Sequence, residues 1–248
     1  IKKLRVDVPS IEEQKKIASF LFSVDKKIEL LTKKHVLLEK YKKGLMQKIF
    51  SQEIRFKQDD GSDFPDWEES LLEDCIKNIA TGLNPRQNFI LGEGENYYVT
   101  IKNIDKGSID FSTCELISNE ALKLINARSK LKKNDIIISS IGNIGEAYLL
   151  KEDPLNWDIN ESVFKIETSD KLLNYFLFHI LSSYGIKKYF YRFQTGSSFT
   201  SIKKKSLLRL AFPLPSFKEQ EKIASFLSSV DTKIELVQQQ IEKTQTLK

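Results

Sequence analysis

Along residues 17–49, a mostly apolar seam recurs at alternating intervals of four and three: Ile17, Leu21, Val24, Ile28, Leu31, His35, Leu38, Lys42, Leu45, Ile49. This is a heptad period held for more than four heptads, and it predicts one long helix over residues 9–50 with a narrow seam for a second helix. His35 on that seam reads as a polar residue that sets register. The seam returns near the other end as Ile223, Leu227, Val230, Ile234, Val237 and Ile241, which predicts a second long helix over residues 214–248. The two stretches are copies: residues 9–30 and 215–236 are identical at 17 of 22 positions. Matching seams in one chain predict an antiparallel coiled coil, and a 40-residue helix would be roughly 60 Å long. Each copy opens with proline and then Ser-x-x-Glu (Ser10 with Glu13, Ser216 with Glu219), the pattern of a capping box in which serine and glutamate satisfy helix-start N–H groups reciprocally.

A second apolar set lies off the seam. Phe20, Leu30 and Leu37 have counterparts to the first two in Phe226 and Leu236. Two readings stand: a wider core stripe against an adjoining domain, or a docking surface for a partner protein.

Between the helices the period changes. Residues 51–66 are rich in Asp, Gly and Ser and read as a linker; residues 67–213 then alternate short β-rich runs with turns. Structure is expected to resume at 68–79. Residues 97–104 and 108–111 predict a hairpin, 115–131 a short helical stretch with coil, and 135–140, 161–167 and 208–213 strands. Gly142 and Gly145 flank a tight turn into 146–150, and 172–184 and 187–193 predict aromatic-rich helices, His179 reading as a core histidine. The fold class expected is α+β, a mixed curved-sheet domain flanked by the two helices. Residues 1–8 resemble 207–214 at the same offset as the helices, so they are expected to be the tail of an earlier domain of a longer chain.

Composition adds limits. The 248 residues are 40% hydrophobic and 29% charged with net charge +5, which permits a polyanionic partner without demanding one. No apolar run reaches the length of a membrane span, and Cys75 and Cys114 form no CxxC, so a cytoplasmic, reducing setting without membrane contact is expected. Metal motifs are missing, and Glu13-Gln14-Lys15 loses its lysine in the second copy. Gly142-Asn143-Ile144-Gly145 is too short for a dinucleotide loop. Asn84-Pro85-Arg86-Gln87 lacks the second proline and the aromatic of an adenine methyltransferase motif. No catalytic residue, metal or cofactor is therefore assigned.

Binding chemistry is better represented. Loop residues Asn84, Arg86, Gln87, Lys102, Asn103, Ser139, Ser140, Asn143, Asn160, Arg192, Gln194, Thr195, Gly196, Ser197, Ser198, Thr200, Lys203, Lys204 and Lys205 supply the groups that read base edges or hold phosphates. Tyr191 and Phe193 add stacking capacity. A coiled-coil or partner surface is assigned to Ile17, Phe20, Leu21, Val24, Ile28, Leu31, Leu38, Ile223, Phe226, Leu227, Val230 and Ile234.

Several motifs in order resemble the specificity subunits of type I restriction–modification systems. They are Asp66-Trp67-Glu68-Glu69 with Leu72-Glu73-Asp74, the turn from Gly82 to Pro85, the strand from Tyr98 to Ile104, and Leu131 to Ser139 with Gly142 and Gly145. The closing set is Thr195-Gly196-Ser197 with Leu214-Pro215-Ser216, Glu219-Gln220, Ile223-Ala224, Leu227 and Asp231. Asn134 stands where the family often has glycine, which affects a turn. The resemblance implies a non-catalytic subunit with one target-recognition domain, which reads half of a bipartite site in double-stranded DNA. Its helices would set half-site spacing and dock modification subunits that carry S-adenosylmethionine, with a motor subunit using ATP and magnesium in the full complex. One such domain with both helices could also self-associate head-to-tail. The alternative is a coiled-coil assembly scaffold that reads no sequence.

Overall fold

The computed structural model describes residues 8–105, 107–193 and 201–247. Two compact units divide the chain, one of residues 1–45 with 226–248 and one of residues 46–225. These divisions fall inside the two long helices, about five residues before the sequence-based limit at 50 and about twelve after the one at 214.

Helix α1 runs Ile11–Phe50 and α6 runs Phe217–Gln245. In the first unit the burial pattern follows the heptad seam from Leu21 onward. Val24, Val237 and Ile241 are buried, and Leu21, Ile28, Leu31, His35, Leu38 and Lys42 are each less exposed than their neighbours. His35 Nδ1 lies 3.7 Å from Glu39 Oε2. Lys42 pairs with Asp231 across the two helices. Ile17 departs from expectation: it is 46% exposed, so the covered seam starts at Leu21. Phe20, Leu30 and Leu37 are more than half exposed, as is Leu236, while Phe226 is half-buried.

The second unit holds strands β1 (Glu68–Leu71), β2 (Ile76–Thr81), β3 (Asn96–Val99), β4 (Ile104–Asp105), β5 (Ser108–Ile109) and β6 (Glu115–Ile117). Helix α2 (Asn119–Ser129) follows, then β7 (Ile136–Ser139), β8 (Ala147–Leu149), β9 (Trp157–Ile159) and β10 (Val163–Thr168). Helices α3 (Asn174–Leu181), α4 (Tyr184–Tyr191) and α5 (Lys204–Leu208) precede β11 (Ala211–Leu214). Instead of one curved sheet the strands form four small ones. An antiparallel sheet β2-β10-β7-β8 and a mixed sheet β6-β3-β9 hold most of the core, with pairs β1-β11 and β4-β5 beside them. Ile136, Ile137, Val163 and Ile166 are fully buried in the first sheet, and Val99 and Ile159 in the second. His179 is buried with its ring 5.4 Å from that of Phe178.

Four expectations need correction. The strand predicted at 97–104 stops at Val99, because Thr100 and Asn103 cap a short 3-10 turn: the Thr100 N–H donates to Asn103 Oδ1 at 2.8 Å. Residues 115–131 contain the expected helix, started by Ser118, whose hydroxyl accepts the Ala121 N–H at 3.2 Å, but Glu115–Ile117 ahead of it is strand and not coil. Before the last strand, Leu208 belongs to α5, and β11 begins only at Ala211. The 51–66 segment is tied down, with Lys57 and Asp63 bridging and Gln58 Nε2 donating to Asp63 O.

The second capping box is also not formed as expected. Ser10 does accept the Glu13 N–H at 3.3 Å. Glu219, however, turns away from its helix start and is fully buried. It accepts from Arg55 Nε and Nη2 at 3.1 and 2.9 Å and from Trp67 Nε1 at 2.9 Å. Arg55 also donates to the Pro65 carbonyl at 2.7 Å. This cluster fastens the segment after α1 to the start of α6 within the second unit.

Candidate nucleic-acid interface

Strand direction decides where the loops gather. β2, β7, β3 and β9 all end at one end of the second unit, and β8 and β10 start there; β3 and β9 run parallel, the others antiparallel. The segments leaving those strands are stitched together by main-chain bonds. Gly82 N donates to Asn160 O at 3.1 Å, Asn160 N to Val99 O at 2.9 Å, Ser140 N to Ser162 O at 2.9 Å, and Ile202 N to Ser140 O at 2.8 Å. Ile141 and Ser201 form a bridge. Five segments thus meet at one end: 82–87, 100–103, 140–145, 160–162 and 201–205.

Two glycines make this convergence possible. A Cβ on Gly82 would lie 1.5 Å from the Ile159 carbonyl oxygen, so no other residue fits. Gly145 has φ +87°, and a Cβ there would lie 2.2 Å from the Phe190 ring. Phe190 belongs to α4, which backs the 140–145 turn; Lys187 of the same helix pairs with Glu146.

The chemistry assigned from sequence divides three ways. Arg86, Gln87, Lys102, Asn143, Lys203, Lys204 and Lys205 are exposed on the converging segments, with Asn84 and Asn160 half-buried. Arg192 is exposed at the end of α4, beside exposed Tyr191. Lys204 Nζ donates to the Ile79 carbonyl at 3.0 Å, which ties that lysine to the scaffold.

Asn103, Ser139 and Ser140 are buried and engaged in the fold, so they present no surface for reading bases. Asn103 Nδ2 donates to Thr113 Oγ1 at 3.1 Å, Ser139 donates to the Asn143 carbonyl, and Ser140 donates to the Ser162 carbonyl at 2.6 Å. A small hydroxyl or amide beside a tight turn satisfies main-chain groups first. Gln194, Thr195, Gly196, Ser197, Ser198 and Thr200 lie outside the described residues.

Beneath the interface is a buried polar layer that the sequence did not reveal. Asp158 of β9 accepts from Ser129 Oγ of α2 at 2.7 Å and from the Ile159 N–H at 2.7 Å. Burial pushes its carboxyl up to about 6 despite those bonds. Lys165 of β10, equally buried, lies 3.3 Å from Asp135 and donates to the Lys130 carbonyl at 3.1 Å. The layer locks α2 and β7 to the strands that carry the 160–162 turn.

At the apex of that turn is Glu161, also absent from the sequence-based set. Tyr98 donates to the Leu83 carbonyl at 2.7 Å, and its hydroxyl is 3.5 Å from Glu161 Oε2. Burial, then the nearby carboxylate, holds the Tyr98 hydroxyl well above the ordinary phenol range. The only sequence signal was Asn-Glu-Ser ahead of a β-rich run. Among the described residues there is no cluster of His, Cys, Asp and Glu suited to a metal ion.

Comparison with known proteins places this arrangement. A family model described as type I restriction modification DNA specificity domain matches residues 1–40 and 65–245. A putative type I restriction enzyme MjaX specificity subunit from Methanocaldococcus jannaschii is 29% identical over the whole chain, and the MjaVIII specificity subunit of the same organism is 29% identical over 99% of it. The chain spans 57% and 59% of those relatives' own lengths. The type I restriction–modification S subunit from M. genitalium shares the fold, with TM-score 0.66 and 19% identity over 96% of this chain and 59% of that one. The HsdS subunit from Thermoanaerobacter tengcongensis superposes with TM-score 0.52 at 17% identity, over 97% of this chain and 57% of that one. With the match covering both repeated helices and the loop-bearing unit, the chain belongs to the type I restriction–modification DNA specificity family.

Proposed function

We propose that this chain is the non-catalytic DNA-sequence-recognition component of a type I restriction–modification enzyme, its second unit reading one half of a bipartite target. One observation carries the reading: five segments, four of them bearing Arg86, Gln87, Lys102, Asn143 and Lys203, are bonded into one surface at the strand ends. Arg and the amides suit base edges, and the lysines suit phosphates.

In this proposal the long helices pack as an antiparallel coiled coil, supported by the Lys42–Asp231 pair and the covered seam. They set half-site spacing, and their exposed Phe20, Leu30 and Leu37 dock the modification subunits. S-adenosylmethionine, ATP and magnesium belong to the partner subunits, and the complex works in the cytoplasm. Two copies could pair head-to-tail through the helices.

The test is selection of tight binders from a degenerate duplex pool, with and without a modification subunit. A short enriched motif, sharper with the partner, is the expected outcome. Arg86→Ala should relax preference at one base pair, and Lys203→Ala should weaken all duplexes alike and lower the salt slope by about one. Retention of DNA with no enriched motif in either condition would sink the proposal and leave the scaffold reading.

A further inference from the structure

Glu161 is an acid on a surface whose other exposed charged side chains on the five converging segments, Arg86, Lys102, Lys203, Lys204 and Lys205, are cationic; the half-buried Glu146 beside them is paired with Lys187. It is exposed and forms no ion pair with any described lysine or arginine. Its backbone is among the most firmly held parts of that end. The turn it tops is bonded to Gly82, Val99 and Ser140 from three neighbouring segments, and Asn160 Oδ1 accepts the Ser162 N–H at 3.0 Å inside it. Tyr98 sits beside the carboxylate without using it up: its single proton is directed to Leu83 O at 2.7 Å, against 3.5 Å to Glu161.

A carboxylate held at this place repels phosphate, so its favourable partner in a duplex is an amino group on a base edge. Carboxylates accept from cytosine N4 in the major groove, whereas adenine sets its N7 acceptor beside the N6 amino group and repels a second carboxylate oxygen. Resting on the DNA-reading proposal above, we infer that Glu161 is a specificity-determining residue that accepts a hydrogen bond from a cytosine amino group at one base pair of the target.

The experiment repeats the duplex selection, with the modification subunit present, for the wild-type chain, Glu161→Gln and Glu161→Ala. The amide offers one donor and one acceptor, matching adenine N6 and N7. Glu161→Gln should therefore move the preference at one pair from C·G towards A·T, leaving the rest of the motif intact. Glu161→Ala should lose roughly 10-fold discrimination at the same pair without gaining adenine. Far-UV circular dichroism checks that both variants fold, as expected for an exposed turn apex. A wild-type motif left unchanged at every pair by both variants overturns this inference alone. So does a uniform gain in affinity for all duplexes, which would make Glu161 only an electrostatic brake. A wild-type chain that enriches no motif overturns the DNA-reading proposal and this inference with it.

Discussion

The chain writes Pro-Ser-x-x-Glu-Gln twice and uses it differently each time. At the start of α1, Ser10 accepts the Glu13 N–H, and Gln14 Nε2 donates to the Pro9 carbonyl at 2.8 Å. Every one of those side chains is exposed. At the start of α6 the same letters are drawn into the core of the second unit. Glu219 holds Arg55 and Trp67, and Gln220 donates to Lys171 O and Pro215 O while accepting the Leu173 N–H at 2.8 Å. A local motif specifies that a helix begins; what surrounds it decides whether the motif caps a helix or clamps a domain. Replacing Glu219 should give the largest effect. Glu219→Ala leaves Arg55 without its buried carboxylate and the Trp67 indole without its acceptor, and one-sided removal of a buried ion pair costs about 3–5 kcal/mol. Because Arg55 is 23% exposed, a loss of about 3 kcal/mol is expected. Trp67 and Trp157, the only tryptophans, lie in the second unit, so fluorescence during urea unfolding reads it directly. Glu13→Ala should leave that midpoint unchanged; equal midpoints for both variants would erase the contrast.

Asp158 sharpens the comparison, because it is a buried acid with hydroxyl and N–H donors but no arginine fork. Burial pushes its carboxyl up to about 6 in the fold, against about 3.9 when unfolded. Between those values the folded chain binds more protons than the unfolded one. The contribution is therefore greatest at low pH, falls as pH rises from about 4 to 6, and is flat above. That difference corresponds to at most about 2–3 kcal/mol. Asp158→Asn should remove most of this slope. A smaller slope of the same sign remains from Asp135, which burial also pushes upward. Urea midpoints at pH 4.5 and 7 check this; an unchanged slope in the variant would mean that another group titrates.

The parts that sequence made legible are those in which one residue's fate depends on near neighbours. The heptads marked the seam from Leu21 onward because helical periodicity is local. Gly82 to Pro85 and Gly142 to Gly145 were legible as turns for the same reason. Long-range pairing was not. The β9 strand Trp157–Ile159 is short and centred on an aspartate, and it is a strand because β3 lies beside it. Glu219 meets an arginine 164 residues away, which no spacing rule anticipates. In the candidate interface, residue type correctly marked Arg86 and Lys203 as exposed. It could not tell Asn143, at an exposed turn, from Asn103, which caps a buried one.

The finest contrast between the two copies is in their serines. The Ser10 hydroxyl accepts a long, exposed bond, so Ser10→Ala should cost somewhat under about 1 kcal/mol of local helix stability. That corresponds to a few-fold faster amide exchange in the first turn of α1. The Ser216 hydroxyl is buried and has no hydrogen-bond partner among the described residues, while the Gln220 N–H uses the Ser216 carbonyl, which alanine retains. Deleting a buried, unsatisfied hydroxyl removes a desolvation penalty. Ser216→Ala should therefore leave exchange in α6 unchanged or slow it, and should raise the urea midpoint of the second unit slightly. One substitution in one motif then acts with opposite signs, because the serine cap is made in one copy and not in the other. Equal acceleration of exchange at both helix starts would show that Ser216 caps α6 after all, with Glu219 serving the clamp alone.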